Sequence, residues 1–275
     1  MTPHDHSSER ASTVSTGRWI AAARAFETAR PDRLFNDPWA DVLAGDVGRA
    51  TLEAADYNPF LPVRTRYIDD RIIGAARKNS QIVLLGAGLD TRAFRLPLPA
   101  GCTVFEIDFE EAFTKKEELL RTVPAACERR CVHADLSEAW SGFLLEAGFD
   151  RHAPAIWVAE GLFFYLTAAT VESLLHNAAA LSAEGSTFLA DTFGTGLLAL
   201  KGLAPLVAMR KGTGRPLPFC TDEPEALFRA AGWTSTSVVQ PGQPTANFGR
   251  LTQPPEKAEA GLQITLRTHL VTASL

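Results

Sequence analysis

The sequence predicts an α/β fold, in which a mostly parallel β-sheet carries helices on both of its faces. Short apolar runs that suit buried strands alternate with helical patterns over much of the 275-residue chain, and this alternation is typical of such a sheet. Residues 82–85 are also apolar without interruption and lead directly into Gly86 and Gly88. A run of this kind is typical of a strand buried on both faces of a parallel sheet.

Seven strands and the helices between them are predicted in chain order. The predicted strands are residues 81–86, 103–108, 130–134, 155–159, 187–190, 234–239 and 262–271. The predicted helices are residues 15–29, 37–43, 63–73, 110–122, 138–147, 168–181 and 223–231. No helix separates the last two strands, so we expect them to pair antiparallel at the end of the sheet. The prediction is a seven-stranded, mostly parallel sheet with an antiparallel last strand.

Residues 14–275 are predicted to form a single domain, preceded by a disordered tail at the polar residues 1–13. Residues 14–75 contain helical patterns and precede the first strand, so we expect a helical cap over one end of the sheet. Residues 194–220 contain glycines, prolines and a basic group, and they interrupt the alternation of strands and helices. We expect this stretch to be an inserted lid that faces a substrate.

The composition limits the classes of partner. A formal net charge of -5 argues against a broad nucleic-acid surface and favours small molecules or proteins. The four cysteines have no metal-ligand spacing, so reduced thiols and no metal site are expected. No stretch approaches the roughly 20 apolar residues of a membrane helix, and the first residues do not resemble a signal peptide. We therefore expect a soluble cytoplasmic protein; its oligomeric state cannot be predicted from this sequence.

Glycines or acidic residues follow or end four successive predicted strands. The residues concerned are Gly86, Ala87 and Gly88 after the first strand, Asp108 at the end of the second, Asp135 and Leu136 after the third, and Glu160 after the fourth. The carboxyl ends of parallel strands meet at one edge of the sheet, where open α/β sheets bind their ligands. An acid at the end of the second strand is suited to the hydroxyls of a ribose. The pattern predicts a nucleotide-type cofactor at this edge.

The residue types favour S-adenosylmethionine over a dinucleotide. Thr91 stands where the dinucleotide fingerprint has its third glycine. Several acids around the cleft suit a cofactor with a positive centre and a free amino group, and Arg64 or Arg66 can bind its carboxylate. Two alternatives remain open at this point: an NAD(P)-dependent oxidoreductase, and a non-catalytic partner-binding protein on the same scaffold.

Residues 86–96, which are GAGLDTRAFRL, resemble the signature of the leucine carboxyl methyltransferase family. That family includes protein phosphatase methyltransferases and bacterial polyketide O-methyltransferases of the tetracenomycin type. Further similar stretches are residues 64–69, 105–108 with Lys116 downstream, 134–136, 159–166 and 230–233. The resemblance extends from about residue 15 to residue 270 and implies a class I methyltransferase, Rossmann-like fold.

The resemblance also implies roles for individual residues around S-adenosylmethionine. By position, Arg64 binds the methionine carboxylate, and Gly86 and Gly88 pack the methionine moiety through their backbone. Asp108 holds the ribose, and Asp135 and Leu136 hold the adenine. Glu160 faces the amino group or the reacting centre. Ala87 and Asp90, within the same motif, complete the expected cofactor-binding set. Arg66 is expected to be either a surface or helix-packing residue or a ligand of the carboxylate, and Lys116 a solvated helix residue.

The activity that the resemblance implies is O-methylation of a carboxylate or hydroxyl of a small metabolite, such as a polyketide of secondary metabolism. A carboxylate is already anionic at neutral pH, whereas a phenol must be deprotonated. No catalytic base is predicted, because His133 and His176 lie inside a predicted strand and a predicted helix, where structural roles are expected. Tyr165, just past the fourth strand, is the expected substrate contact.

Overall fold

The computed structural model describes residues 6–55, 58–214, 216–251 and 268–275. These residues form one sheet of seven strands, in the order β3-β2-β1-β4-β5-β7-β6. The strands are β1 (Gln81–Leu85), β2 (Thr103–Asp108), β3 (Glu128–His133), β4 (Ala155–Ala159), β5 (Thr187–Phe193), β6 (Ser235–Val239) and β7 (Thr268–Ser274). The first five strands pair parallel, and β7 runs antiparallel to both of its neighbours, β5 and β6. The predicted fold class is confirmed.

Helices precede the sheet and connect its strands. They are α1 (His6–Thr28), α2 (Ala40–Ala54), α3 (Phe60–Ala75), α4 (Arg92–Arg95), α5 (Glu110–Leu120), α6 (Ser141–Glu146), α7 (Ala168–Ala180), α8 (Ala204–Gly212) and α9 (Pro224–Ala230). Short 3-10 helices cover Phe163–Tyr165, Thr195–Ala199 and Lys201–Leu203. Within the described part of the chain, no helix combines the length and the apolar character that crossing a membrane requires.

Alternate residues of the central strands pack on opposite faces of the sheet, because successive side chains of a strand point in opposite directions. Val83 and Leu85 of β1 belong to a cluster with α6, α7 and α9. Ile82 and Leu84 belong to a second cluster with α3 and α5. Every residue of β1 is buried, including the polar Gln81, and the burial of residues 82–85 agrees with their unbroken apolar sequence.

The boundaries differ from the predictions at several places. Helix α1 begins at His6, so it includes part of the stretch 1–13 that was expected to be disordered. Helix α3, predicted as part of the cap, packs against the sheet, with Ile72 next to β1 residues. Strand β5 continues three residues past its predicted end, because its last residues pair with β7 up to Phe193↔Thr268. The first part of the last predicted strand, residues 262–267, lies outside the described residues.

Candidate active site

A cavity of about 760 Å³ opens at the carboxyl ends of the central strands. It is lined by all ten residues predicted for cofactor or substrate contact, namely Arg64, Gly86, Ala87, Gly88, Asp90, Asp108, Asp135, Leu136, Glu160 and Tyr165. Helix α1 adds residues 16–20 to the wall, and the expected lid adds Leu197 and Leu203. The fold thus brings together residues that are far apart in the sequence.

The glycine turn after β1 is shaped for a close approach of the backbone. Gly86 and Gly88 have φ angles of 65° and 45°, in the left-handed region that favours glycine. A Cβ on Gly86 would lie 2.8 Å from Cδ1 of Leu162, so a side chain there would collide with the turn after β4. The turn therefore depends on glycine both for its conformation and for space.

Asp108 is held beside this turn by two backbone amides. The amide of Gly88 donates to Oδ2 at 2.7 Å, and the amide of Phe109 donates to Oδ1 at 2.8 Å. Burial raises the pKa of Asp108, and these two hydrogen bonds oppose the rise. The carboxylate is oriented in the cavity wall before any ligand binds, as the hydroxyls of a ribose require.

The third predicted acid lies further along the same edge. Oδ1 of Asp135 accepts hydrogen bonds from the amide and the hydroxyl of Ser137, at 2.8 and 2.6 Å. These contacts stabilise the loop after β3, and they place Leu136 in the wall of the cavity. An apolar side chain next to a carboxylate fits the two needs of an adenine, a face to pack on and an acceptor for its amino group.

Arg64 reaches the site from α3 and joins the ends of β4 and β5. Its Nε donates to Oε1 of Glu160 at 3.0 Å, and its Nη1 donates to Oδ2 of Asp191 at 3.1 Å. Oδ1 of Asp191 accepts from the amide of Gly161 at 2.6 Å. Burial raises the pKa of Asp191, although the Arg64 guanidinium and the Gly161 amide oppose the rise.

A second arginine, Arg92, occupies the centre of a buried ionic network. Its guanidinium donates to Asp69 of α3 at 2.7 Å and to Oε2 of Glu160 at 2.6 Å, and it also bonds Asp90. Arg95 binds the same Asp69 at 2.6 Å. The network joins the glycine turn, α3 and the end of β4.

The arginines keep the two carboxylates at the cavity edge ionised. Burial alone would raise the pKa of Glu160, but the charges of Arg92 and Arg64 lower it to about 2. Burial likewise opposes ionisation of Asp90, whose pKa is lowered to about 2 chiefly by Arg92 and Lys116. Both carboxylates are therefore ionised at neutral pH, and each is paired with an arginine.

Thr91, at the position of the third glycine of the dinucleotide fingerprint, makes a side-chain hydrogen bond that a glycine could not make. Its hydroxyl donates to Oδ2 of Asp37 at 2.7 Å, and Asp37 also accepts from Nε of Arg24 in α1 at 2.8 Å. Nη2 of Arg24 in turn donates to the carbonyl of Leu89 at 2.6 Å. A glycine at position 91 could not make this contact, which fastens the N-terminal helices onto the glycine turn.

An apolar aromatic wall lies beside the polar edge of the cavity. The ring of Phe193 lies 6.3 Å from that of Phe60 and 5.7 Å from that of Phe164. Tyr165 continues the series, with its ring 5.8 Å from Phe164 and 42% of the residue exposed. A flat apolar body can pack on rings arranged in this way.

Of the two arginines that the sequence offers for the carboxylate of the cofactor, only Arg64 lines the cavity. Arg66 binds Asp70 at 2.8 Å and the carbonyl of Leu34 at 2.6 Å, and it does not line the cavity. His133 and His176 do not line the cavity either; His133 stacks on Phe113.

The expectation of a solvated Lys116 is wrong. Its Nζ lies 2.8 Å from Oε2 of Glu106, and neither side chain is exposed. Arg129 binds the same oxygen at 2.7 Å. Because α5 packs flat on the sheet, Lys116 faces the strand and not the solvent, and the ion pair compensates the two buried charges.

Asp191 and the contacts of Arg92 are not predictable from the local sequence. Asp191 does not line the cavity itself, but it binds Arg64, which does, because β5 continues past its predicted end to Phe193. Arg92 is part of the signature 86–96, but its partners come from α3 and β4, which no local pattern reveals.

The sequence profile of the family named leucine carboxyl methyltransferase matches residues 18–179, which is more than half of the chain. The chain belongs to the leucine carboxyl methyltransferase family. A relative from Parafrankia sp., provisionally named an S-adenosyl-L-methionine-dependent methyltransferase, is 43% identical over 204 residues, which are 66% of this chain and 64% of that protein. The chain thus spans less than two thirds of that relative. A member from Mycolicibacterium gilvum with the same provisional name is 34% identical over 90% of this chain and 91% of its own.

Solved structures agree with the fold of this family member. A provisionally named methyltransferase from Thermobifida fusca superimposes with a TM-score of 0.60 at 17% identity, covering 94% of this chain and 93% of that one. A DUF574 family protein from Streptomyces avermitilis gives a TM-score of 0.55 at 14% identity, covering 92% and 96%. At these identities the likeness concerns the class I methyltransferase fold.

Proposed function

We propose that this member of the leucine carboxyl methyltransferase family is an S-adenosylmethionine-dependent O-methyltransferase. Its acceptor would be a carboxylate or a hydroxyl of a small metabolite such as a polyketide. The observation that carries the proposal is the division of one cavity into a polar edge, with the predicted cofactor residues, and an apolar aromatic wall beside it. A small-molecule acceptor also fits the net charge of -5, which does not favour nucleic acid.

The polar edge fits S-adenosylmethionine in shape and charge. Asp108 would hold the ribose hydroxyls, Asp135 and Leu136 the adenine, and Arg64 the carboxylate, while the backbone of residues 86–88 would pack against the methionine moiety. Glu160 and Asp90 would favour a cationic ligand, because their low pKa values keep them ionised. Thr91 stands where the dinucleotide fingerprint has its third glycine, which counts against a dinucleotide.

When bound, S-adenosylmethionine supplies a methyl group on a positively charged sulfur; an acceptor oxygen attacks the methyl carbon in line, and the sulfur leaves. The chain's own residues would align the acceptor and exclude water, through the rings of Phe60, Phe164 and Phe193. Tyr165 lies at the exposed end of this wall and would contact the acceptor. The described residues that line the cavity include no histidine, and a carboxylate acceptor needs no base.

Titration calorimetry with S-adenosylmethionine and with NADP tests the cofactor. We expect binding of S-adenosylmethionine and no binding of NADP. Binding of NADP alone would indicate an oxidoreductase, and binding of neither would indicate a partner-binding protein; both results contradict the proposal.

The acceptor is tested with a panel of aromatic carboxylic acids and phenols, incubated with S-adenosylmethionine and analysed by mass spectrometry. Methyl esters release methanol in alkali, whereas methyl ethers do not, so the product reveals which oxygen was methylated. Tyr165→Phe and Tyr165→Ala serve as wall variants. We expect them to change KM for the acceptor and to leave the affinity for the cofactor unchanged.

A further inference from the structure

We infer that Asp191 is a positioning residue for the amino-acid end of the cofactor, because it holds Arg64 and the turn at Gly161 in place together. The inference rests on the proposed function, and in particular on Arg64 as the ligand of the cofactor carboxylate. Asp191 is 2% exposed and lies in the part of β5 that pairs with Leu270 of β7.

Each oxygen of the Asp191 carboxylate accepts from a different element. Oδ1 accepts from the amide of Gly161 in the turn after β4, at 2.6 Å, and Oδ2 accepts from Nη1 of Arg64 in α3, at 3.1 Å. The two donors are separated from Asp191 by 30 and 127 residues of the chain. One side chain therefore links α3 directly to the turn after β4.

The turn itself is built to receive the guanidinium. Gly161 has a φ of 65°, and a Cβ at this position would lie 3.1 Å from Nη1 of Arg64. On another side, the guanidinium carbon of Arg64 lies 5.3 Å from the centre of the Phe60 ring. The side chain of Arg64 is confined by the Gly161 backbone, Asp191 and an aromatic ring, and it has little freedom to move.

The remaining edge of the guanidinium is suited to a ligand. Nε of Arg64 donates to Glu160 and Nη1 donates to Asp191, whereas Nη2 makes no hydrogen bond within the described part of the chain. Arg64 lines the cavity, so Nη2 can donate to a carboxylate bound there. A fixed guanidinium loses less conformational freedom on binding than a mobile one, and this is how Asp191 would raise the affinity.

The variant Asp191→Asn isolates the contact with Arg64. The amide oxygen of asparagine can still accept from Gly161, but its NH2 group cannot accept from Arg64. Two probes are compared by titration calorimetry: S-adenosylhomocysteine, which has the amino-acid end, and 5′-methylthioadenosine, which lacks it. We expect the Kd of the first probe to rise by about tenfold, and that of the second to stay within about twofold.

A merely structural role predicts a different pattern, in which the affinities for both probes fall together. Equal losses for the two probes, or an unchanged affinity for S-adenosylhomocysteine, would overturn the inference. Asp70→Asn is the matched control, since Asp70 binds Arg66 on the surface, and it should change neither affinity. If the wild-type protein binds neither probe, the proposed function itself is wrong.

Two further variants complete the test. In an Arg64→Gln background, Asp191→Asn should add no further loss for S-adenosylhomocysteine, because it acts through Arg64; an additive loss contradicts the inference. Asp191→Glu keeps the negative charge but moves the carboxylate by one methylene group. If Asp191→Asn does not fold, this variant tests the positioning role instead. A selective loss for S-adenosylhomocysteine is again expected, and full affinity would contradict a positioning role.

Discussion

The guanidinium of Arg92 lies 2.6 Å from the carboxylate of Glu160, and this ion pair joins α4 to the residue that follows β4. The side chains are 3% and 14% exposed, so both charges are largely removed from water. Arg92 also binds Asp69 and Asp90, and Glu160 also binds Arg64. The glycine turn and the neighbouring turn after β4 are therefore connected by charged side chains and not only by apolar packing.

Replacing Arg92 should destabilise the fold strongly. Arg92→Met leaves three carboxylates, one buried and two largely buried, without their shared partner, and we expect the free energy of unfolding to fall by about 3–5 kcal/mol. Urea denaturation followed by circular dichroism measures this change. Arg49→Met, in an exposed pair with Asp41 and Asp46, is the control, and it should leave the stability almost unchanged. Equal losses for the two variants would show that the network does not stabilise the fold.

The same network makes stability depend on acid pH. The pKa of Glu160 is lowered from its ordinary value of 4.5 to about 2, and that of Asp90 from 3.8 to about 2. A lowered pKa stabilises the folded state above the ordinary pKa, and this stabilisation is lost as the pH falls towards the folded value. We therefore expect the free energy of unfolding to decrease as the pH falls from 4.5 to 2.

The variant Glu160→Gln tests that dependence. It should reduce the number of protons taken up on unfolding in this pH range by about one, which flattens the curve of stability against pH. Glu172→Gln, at an exposed position of α7, is the control and should follow the wild-type curve. A wild-type slope in Glu160→Gln would mean that Glu160 is not held ionised by its arginines.

The turn after β4 should tolerate no side chain. In Gly161→Ala, the positive φ and the contact with Arg64 both oppose the methyl group, and we expect a loss of about 1–3 kcal/mol in stability. Gly74→Ala is the matched control: it lies in α3, a Cβ there meets nothing within 4 Å, and alanine should add up to about 1 kcal/mol. Thermal unfolding of the two variants should shift in opposite directions. A shift in the same direction would contradict the strain at Gly161.

Asp108→Ala should weaken cofactor binding. Ribose hydrogen bonds would be lost, and we expect the binding free energy for S-adenosylmethionine to fall by about 1–3 kcal/mol in titration calorimetry. Asp46→Ala removes a fully exposed carboxylate on α2 and should bind normally. An unchanged affinity in Asp108→Ala would show that this acid does not contact the ribose.

Local patterns predicted much of the fold because buried strands have a local signature. The predicted bounds of β2 and β4 coincide with the observed Thr103–Asp108 and Ala155–Ala159. Since the ends of parallel strands converge, the residues that follow them could be placed at one cavity without any knowledge of packing. The same rule missed Asp191, because Asp191 and Thr192 are polar and the predicted strand stopped before them.

Charged side chains inside the protein were the least predictable feature. Lys116 lies in a helix with many charged neighbours, so its sequence suggests exposure, yet its charge is compensated by Glu106 of the adjacent strand. Similarly, Thr91 occupies a glycine position of a known fingerprint, and only its contact with Asp37 shows what it does. For both Lys116 and Thr91, the partner is brought near by the packing of elements that are separate in the sequence.

The sequence by itself determined the order of strands along the chain, the glycine turn and the acids at the strand ends, because each depends on neighbouring residues. Tertiary structure decided that β7 lies between β5 and β6, and that Arg64, Glu160 and Asp191 meet. The physical reason is that a buried charge is stable only beside an opposite charge, and the partner can come from any part of the chain that packing brings near.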